Sequence, residues 1–200
     1  SYLPKIGMQL NKAKKMFANA FKKHKYEGEY HYCYCTKSSH FSFIIEETLK
    51  HNTHIETSYA YDIDIINSLY KKRKITKDIH IVCNGFKQKN YTSRIAKLIN
   101  DGFKNVIPVL DNKEELNMYK RNIRTGEPFK LGIRIAAEEE PSFPFYTSRL
   151  GIKAKDVLEF YVDEIEGNED KFQLKMLHIF LNKGIKDDIY YWSELQKSIN

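Results

Sequence analysis

Four polar side chains of different chemistry stand at or just past the ends of short runs that favour strands. Lys37 follows one such run, residues 30–36. Later runs end at or near Glu56, Asn84 and Arg134. A lysine at the mouth of a buried strand is either a solvated strand end or a reactive amine, because lysine is rarely buried unless paired or functional. An amine, a carboxylate, an amide and a guanidinium at neighbouring strand ends would together form an active site.

The chain alternates short apolar runs with amphipathic stretches. The first five apolar runs begin every 23 to 26 residues, which is the pitch of a βα unit, and their near-continuous apolar character is typical of parallel strands. We predict six strands, over residues 30–36, 53–58, 79–84, 105–110, 130–137 and 172–181. We predict that helices follow them, over residues 39–51, 60–73, 90–102, 112–123, 154–165 and 187–199.

This rhythm predicts an α/β fold, either an open doubly wound sheet or a (β/α)8 barrel. No glycine-rich loop follows the first strand, so the usual mark of a nucleotide-binding open sheet is missing. A barrel brings all the strand ends to one face, where active sites are built. A closed barrel has eight units and ~250 residues, so the six units found here predict a partial TIM barrel.

One incomplete barrel domain is therefore expected over residues 1–200, with a leading helix in 1–28 and the βα units in 29–200. The net charge is +7, and much of it comes from seven lysines before residue 30. Leu10, Phe17 and Phe21 are spaced as the apolar face of a helix, so a solvated opposite face explains these lysines without nucleic acid. No nucleic-acid-binding motif is present, and no run approaches the ~20 apolar residues of a membrane span.

Three cysteines, Cys33, Cys35 and Cys83, lie on predicted strands. An odd count with no apolar signal-peptide core favours reduced thiols in a cytoplasmic protein. The pair in "CYC" is a weak metal signal without a second cluster, so we predict buried thiols and no metal site.

Six segments resemble, in order, the barrel of the biosynthetic arginine decarboxylases. "HKYEGEYHYCYCTKSSH" resembles the segment leading to the lysine that binds pyridoxal phosphate, and "HIVCNGFKQKNYTSRIAKLI" is the nearest match. "HIETSYAYDIDII", "VIPVLDNKEEL", "LGIRIAAEEEPSFPFYTSRLGI" and "LKMLHIFLNKGIKD" resemble the second, fourth, fifth and sixth strand regions. Ornithine, diaminopimelate and carboxynorspermidine decarboxylases and alanine racemase share the barrel of this wider family.

The resemblance implies pyridoxal 5′-phosphate as the cofactor and assigns residues to it. Lys37 matches the Schiff-base lysine, Glu56 the acidic residue near the cofactor, and Arg134 the fifth-strand arginine that the family places near both. We therefore expect Glu56 to hold Arg134. Arg149 lies in a loop segment whose basic residue borders the site in relatives.

The sixth strand departs from the family pattern of His-x-Gly-Ser. Phe180 stands where the histidine that stacks on the cofactor is expected, and Lys183 stands where the serine is expected. His178 lies two residues before Phe180, on the same strand face. Both His178 and Phe180 are therefore candidates for contact with the cofactor ring, although phenylalanine can stack but cannot hydrogen-bond.

The resemblance implies a lyase of polyamine biosynthesis that decarboxylates L-arginine to agmatine and CO2. Decarboxylation of ornithine, diaminopimelate or carboxynorspermidine, a non-catalytic barrel module that binds or assembles, and an anion-binding protein stay open as alternatives. In relatives the phosphate loop and the C-terminal β-domain follow the matched part. The 200-residue chain alone is therefore expected to be inactive, and its open strand edges predict a homodimer or higher homo-oligomer.

Plain structural roles stay open for the same residues. Lys37 could be a solvated strand end, and Glu56 with Arg134 a buried ion pair. Asn84 could be a turn residue before Gly85. His178 could be a packed core histidine.

Overall fold

The protein is described from a computed structural model, over residues 3–136 and 150–180 together with Gln196. Strands and helices alternate along the chain. The strands are β1 (Cys33–Cys35), β2 (His54–Thr57), β3 (His80–Cys83), β4 (Asn105–Leu110), β5 (Phe129–Ile135) and β6 (Phe172–Ile179). The helices are α1 (Leu3–His24), α2 (Ser42–Leu49), α3 (Asp62–Lys71), α4 (Lys89–Asn100), α5 (Glu115–Asn122) and α6 (Ala154–Glu164), and a 3-10 turn, Thr36–Ser38, follows β1.

The six strands form one parallel sheet in sequence order, from β1 to β6. Each connection between neighbouring strands contains a helix, as parallel pairing requires. The architecture is α/β and corresponds to part of a (β/α)8 barrel, which confirms the predicted fold class. Within the described residues, β1 and β6 are the two edges of the sheet.

Side chains along each strand alternate between the two faces of the sheet. One face packs against the helices and forms the hydrophobic core, in which Ile55, Ile81 and Leu110 are completely buried. The neighbouring positions, such as Glu56 and Val82, point to the opposite, inner face. Polar residues of the inner face at the carboxyl ends of the strands therefore meet in one place.

The predicted elements are present in the predicted order, and their ends differ by a few residues. β1 has three residues rather than seven, because the Thr36 hydroxyl donates to Asp62 Oδ2 at 2.8 Å and the chain enters the 3-10 turn. α1 ends at His24 because Lys25 adopts a left-handed φ of 52°. The helix predicted over 187–199 lies outside the described residues apart from Gln196.

The predicted leading helix is present as α1, and its apolar face is buried only in the first half. Leu10 is buried, but Phe17 is 43% exposed. α1 has 22 residues and packs on α2, which has eight, so at ~1.5 Å per residue α2 is too short to cover it. Phe17 instead stacks on Tyr30, with 3.9 Å between ring centroids.

The prediction of buried thiols holds fully only for Cys83, since Cys33 and Cys35 are half-buried; all three cysteines are free. Burial raises the pKa of Cys83 to about 12 and that of Cys33 to about 11. These thiols therefore stay protonated near neutral pH, which does not suit a nucleophile. None of the described helices combines the length and apolar character needed to cross a membrane.

Candidate active site

An open cleft of about 670 Å³ lies at the carboxyl ends of the strands. Its walls include Lys37, Arg134 and Phe180, three of the five side chains predicted to form the site. Asn84 and Tyr91 from the third βα unit line the cleft as well. Glu56 and His178 do not line it, but both contact Asn84.

Lys37 lies on the 3-10 turn directly after β1, and its side chain is exposed to the cleft. The turn is held at Thr36, which is completely buried and whose hydroxyl donates to Asp62. The backbone N–H of Ser39 closes the turn by donating to the Thr36 carbonyl at 3.1 Å. Lys37 is therefore an exposed amine on a fixed backbone, rather than a lysine inside a buried strand.

Asp62, at the start of α3, fixes this turn against the loop after β2. Its Oδ2 accepts hydrogen bonds from the backbone N–H groups of Ser58 and Tyr59, at 2.8 and 3.1 Å, and its Oδ1 lies 3.0 Å from His40 Nε2. Asp62 is 1% exposed, so these bonds replace the water that a carboxylate requires. Asp62 had no predicted role, although an acidic residue in the first turn of a helix is favoured there by the helix dipole and is recognisable in the sequence.

Phe180 contacts both Lys37 and Arg134, two cations of the cleft. Lys37 Nζ is 5.4 Å from the centroid of its ring, and the Arg134 guanidinium carbon is 5.3 Å from the same centroid. Both distances are typical of cation–π contacts. An amine, an arginine and an aromatic ring from β1, β5 and the end of β6 therefore converge on one space.

Arg134 pairs with Asp111 and not with Glu56, so that expected ion pair is wrong. Arg134 is 9% exposed, and its Nη1 lies 3.7 Å from Asp111 Oδ1. The parallel register explains the choice, since Asp111 directly follows β4, the neighbour of β5, whereas Glu56 is on β2. Asp111 was not predicted as a site residue. Its position directly after the end of β4, like that of Lys37 after β1, was the signal that could have identified it.

Asn84 joins Glu56 to His178 across the inner face. Its Nδ2 lies 3.1 Å from Glu56 Oε1 and 3.2 Å from His178 Nε2. An amide NH2 only donates, so His178 accepts at Nε2 and its neutral ring carries the proton on Nδ1. Burial lowers the pKa of His178, and Arg134 lowers it further, while Glu56 opposes the change. Cys35 Sγ also contacts Glu56 Oε1, at 3.8 Å.

Several buried polar atoms of this region have no hydrogen-bond partner among the described residues. They are both carboxylate oxygens of Asp111, the Asn84 Oδ1 and the His178 Nδ1. Buried polar groups are nearly always paired in proteins, so these atoms are open to a partner other than the described residues. Three acceptors and one donor beside a cleft with two cations fit a polar, partly anionic ligand.

Lys87 lies near the cleft, in the loop between β3 and α4. It belongs to the segment "HIVCNGFKQKNYTSRIAKLI", for which no role of this lysine was predicted. Its side chain is completely buried, and its Nζ donates to the carbonyls of Gly85, at 2.9 Å, and Val109. The same Nζ lies 3.1 Å from Glu115 Oε2. These contacts fix the loop that carries Asn84 to β4 and α5, so the group positions the wall of the cleft.

We predict that Asn84→Asp raises the pKa of His178. A carboxylate in place of the amide favours the protonated imidazole, and opposite charges this close shift a pKa by about 1–3 pH units. NMR titration of the His178 ring protons measures the effect. Asn117→Asp, an exposed position of α5, is the matched control and should leave His178 unchanged. A His178 pKa that is the same in Asn84→Asp as in the unsubstituted protein contradicts the hydrogen-bond assignment.

Comparison with known proteins places the fold among barrel decarboxylases. Neither the protein-family models nor the curated proteins contain a match to the sequence. The biosynthetic arginine decarboxylase of Campylobacter jejuni superposes with a TM-score of 0.70 at 18% identity. The diaminopimelate decarboxylases of M. jannaschii and Helicobacter pylori, both solved with L-lysine, give TM-scores of 0.72 and 0.60 at 17% and 16% identity.

The alignments cover 96–97% of this chain but only 30%, 44% and 50% of the three solved chains. The chain therefore spans half or less of the length of the structures that it matches. At such low identity the likeness establishes the shared fold, part of a decarboxylase-type barrel. The roles of individual residues must come from the geometry of the cleft.

Proposed function

We propose that this chain forms the cofactor-binding barrel of a pyridoxal 5′-phosphate-dependent decarboxylase that converts L-arginine to agmatine and CO2. The observation that carries the proposal is the convergence of Lys37, Arg134 and Phe180 on one cleft at the carboxyl ends of the strands. Similar barrels in solved amino-acid decarboxylases support the class of reaction.

The residues of the cleft fit this cofactor. Lys37 offers an exposed primary amine, the group that condenses with an aldehyde. Phe180 offers an aromatic face, and Asp111, which is ion-paired with Arg134, has carboxylate oxygens without a hydrogen bond among the described residues that could accept one from a polar group of the cofactor. Pyridoxal phosphate, when bound, supplies the electron sink for the carbanion left by loss of CO2.

The side chains of this chain have distinct tasks in the proposal. Lys37 would hold the cofactor through its aldehyde at the wall of the cleft. Arg134, fixed by Asp111, keeps a positive charge beside the aromatic face. His178, whose pKa is lowered by burial, would be a neutral imidazole that accepts from Asn84, beside the cleft rather than in its wall.

L-Arginine is proposed as the substrate on the sequence resemblance. Diaminopimelate is the second candidate, because the diaminopimelate decarboxylase of M. jannaschii superposes as well as the arginine enzyme does, with TM-scores of 0.72 and 0.70. The cytoplasm is the compartment that we propose, from the reduced cysteines, and a homo-oligomer is the assembly that we propose.

A substrate panel on the full-length protein tests the proposal. Purified protein is titrated with pyridoxal phosphate, followed by absorbance, and then assayed for CO2 release from arginine, diaminopimelate, ornithine and carboxynorspermidine. We expect saturable cofactor binding and the highest kcat/KM with arginine. Faster turnover of another substrate replaces the arginine assignment. Cofactor binding without turnover favours a non-catalytic module, and no binding overturns the proposal.

A further inference from the structure

Three histidines meet on the inner face of the sheet at the amino ends of the first three strands, away from the cleft. His54 and His80 begin β2 and β3, and His31 lies two residues before β1. Their ring centroids are 4.5 to 5.1 Å apart. One ring nitrogen from each histidine lies within 4.8 Å of the other two.

The ring nitrogens of two of these histidines are already spaced as metal ligands. His31 Nδ1 and His54 Nε2 are 3.2 Å apart, so one proton lies between two lone pairs. Two imidazole nitrogens at 2.0–2.1 Å from a tetrahedral Zn²⁺ stand about 3.3 Å from each other. A metal ion can therefore take the place of the shared proton with little movement of these two rings.

A carboxylate stands behind one of the histidines, as it does in many metal sites. Glu29 Oε2 lies 3.3 Å from His31 Nε2, the nitrogen that faces away from His54. Carboxylate–histidine–metal arrangements fix the ring orientation and the tautomer of the ligand. This contact leaves His31 Nδ1 as the nitrogen with the free lone pair.

The surroundings permit an ion to enter. The side chain of His31 is 44% exposed, and the rings of His54 and His80 are half-buried. Two cations, Lys14 and Lys130, act on the cluster. Lys14 is held by the carbonyls of His51 and Asn52, and Lys130 by Asn105 Oδ1, so both ammonium groups already have hydrogen-bond acceptors outside the cluster.

We propose that His31, His54 and His80 bind one divalent transition-metal ion, with Zn²⁺ as the ion of choice and Glu29 orienting His31. Neutral imidazoles are the ligands that zinc prefers, and three of them leave a fourth position for water. On binding, the proton between the rings is displaced and His54 carries its single proton on Nδ1. The long contact from the His80 backbone N–H to that nitrogen, 3.3 Å, is given up.

The site would link the first three strands at the end of the barrel opposite the cleft, so its role is structural. It is independent of the proposed decarboxylase activity, since none of its ligands lines the cleft. A sequence signal existed, because the three histidines follow the same strand pitch as the βα units. It could be recognised only once the register showed that all three face inward.

Zinc titration of the chelator-treated full-length protein, by calorimetry, tests the proposal. We expect a site with a dissociation constant of about 1 µM or lower, which corresponds to specific binding. Substituting His54→Ala or His80→Ala should remove one equivalent of tight zinc, and Glu29→Gln should weaken binding by about 10–100-fold. His24→Ala, an exposed histidine outside the cluster, is the matched control and should bind as the unsubstituted protein does.

Copper(II) provides a second readout, because its electron paramagnetic resonance spectrum reports nitrogen ligands directly. We expect couplings to imidazole nitrogens that disappear in His31→Ala, an exposed position whose change does not threaten folding. A zinc dissociation constant that is the same in the unsubstituted protein, His31→Ala and Glu29→Gln overturns the proposal. Binding only at millimolar zinc overturns it as well.

Discussion

Lys37→Ala in the full-length protein should abolish covalent attachment of pyridoxal phosphate. Decarboxylation should fall by at least ~10²-fold, the lower end of what one positioned catalytic side chain contributes, because Lys37 is the residue that would hold the cofactor in the cleft. Cofactor absorbance and CO2 release measure the two effects. Folding should not change, since the Lys37 side chain is exposed and the turn is held by Thr36 and Asp62.

Lys89→Ala is the matched control. Lys89 is an exposed lysine that begins α4, beside the residues that line the cleft. The Lys89→Ala variant should keep both the covalent attachment of pyridoxal phosphate and the rate of CO2 release. Full activity in Lys37→Ala, or equal losses in both variants, would show that Lys37 is a solvated strand end.

Glu115→Leu should destabilise the protein by about 3–5 kcal/mol, because removal of one partner of a buried ion pair leaves the other charge uncompensated. The charge left uncompensated is that of Lys87, whose side chain is completely buried. Chemical denaturation followed by circular dichroism measures the free energy of unfolding. Lys113→Met is a control for an exposed pair, since Lys113 lies 3.4 Å from Glu159 at the surface and should change stability by at most about 1 kcal/mol.

The double variant Lys87→Met/Glu115→Leu separates charge from packing. Replacing both members of a buried pair with apolar residues is often neutral, so the double variant should recover most of the stability lost in Glu115→Leu. A double variant that is less stable than Glu115→Leu would show that Lys87 stabilises mainly through the carbonyls of Gly85 and Val109.

The pH dependence of stability follows from the same pair. Burial raises the pKa of Glu115 to about 7, although Lys87 opposes the change. This pKa lies above the ~4.3 of a glutamate in an unfolded chain, so folding favours protonated Glu115. Its contribution to the free energy of unfolding is therefore present in full below pH ~4.3 and is lost as the pH rises towards 7. The double variant should lack this loss, and an identical pH profile in both proteins would contradict the assignment.

The strand rhythm was enough to predict the partial barrel and to put Lys37 beside Arg134. The pairing of Arg134 was not predictable, because Glu56 and Asp111 are both acidic residues at strand ends. Only the order of the strands and their register decides between them.

Ion-pair and hydrogen-bond partners that come from distant helices could not be predicted from the sequence either. The motif that contains Lys87 was recognised, but its burial depends on Glu115, which comes from a different βα unit. The sequence predicted Lys37 directly after the first strand, and the structure places it in the 3-10 turn that follows β1. Its 3-10 conformation depends on Asp62, 25 residues further along the chain, which local strand propensity does not report.

Borohydride reduction of the full-length protein incubated with pyridoxal phosphate, followed by peptide mapping, tests most directly whether Lys37 is the cofactor-binding amine of this cleft. We predict one reduced cofactor per chain, on the peptide that contains Lys37. A label on Lys87, on Lys89 or on any other lysine, or no label at all, would contradict the assignment.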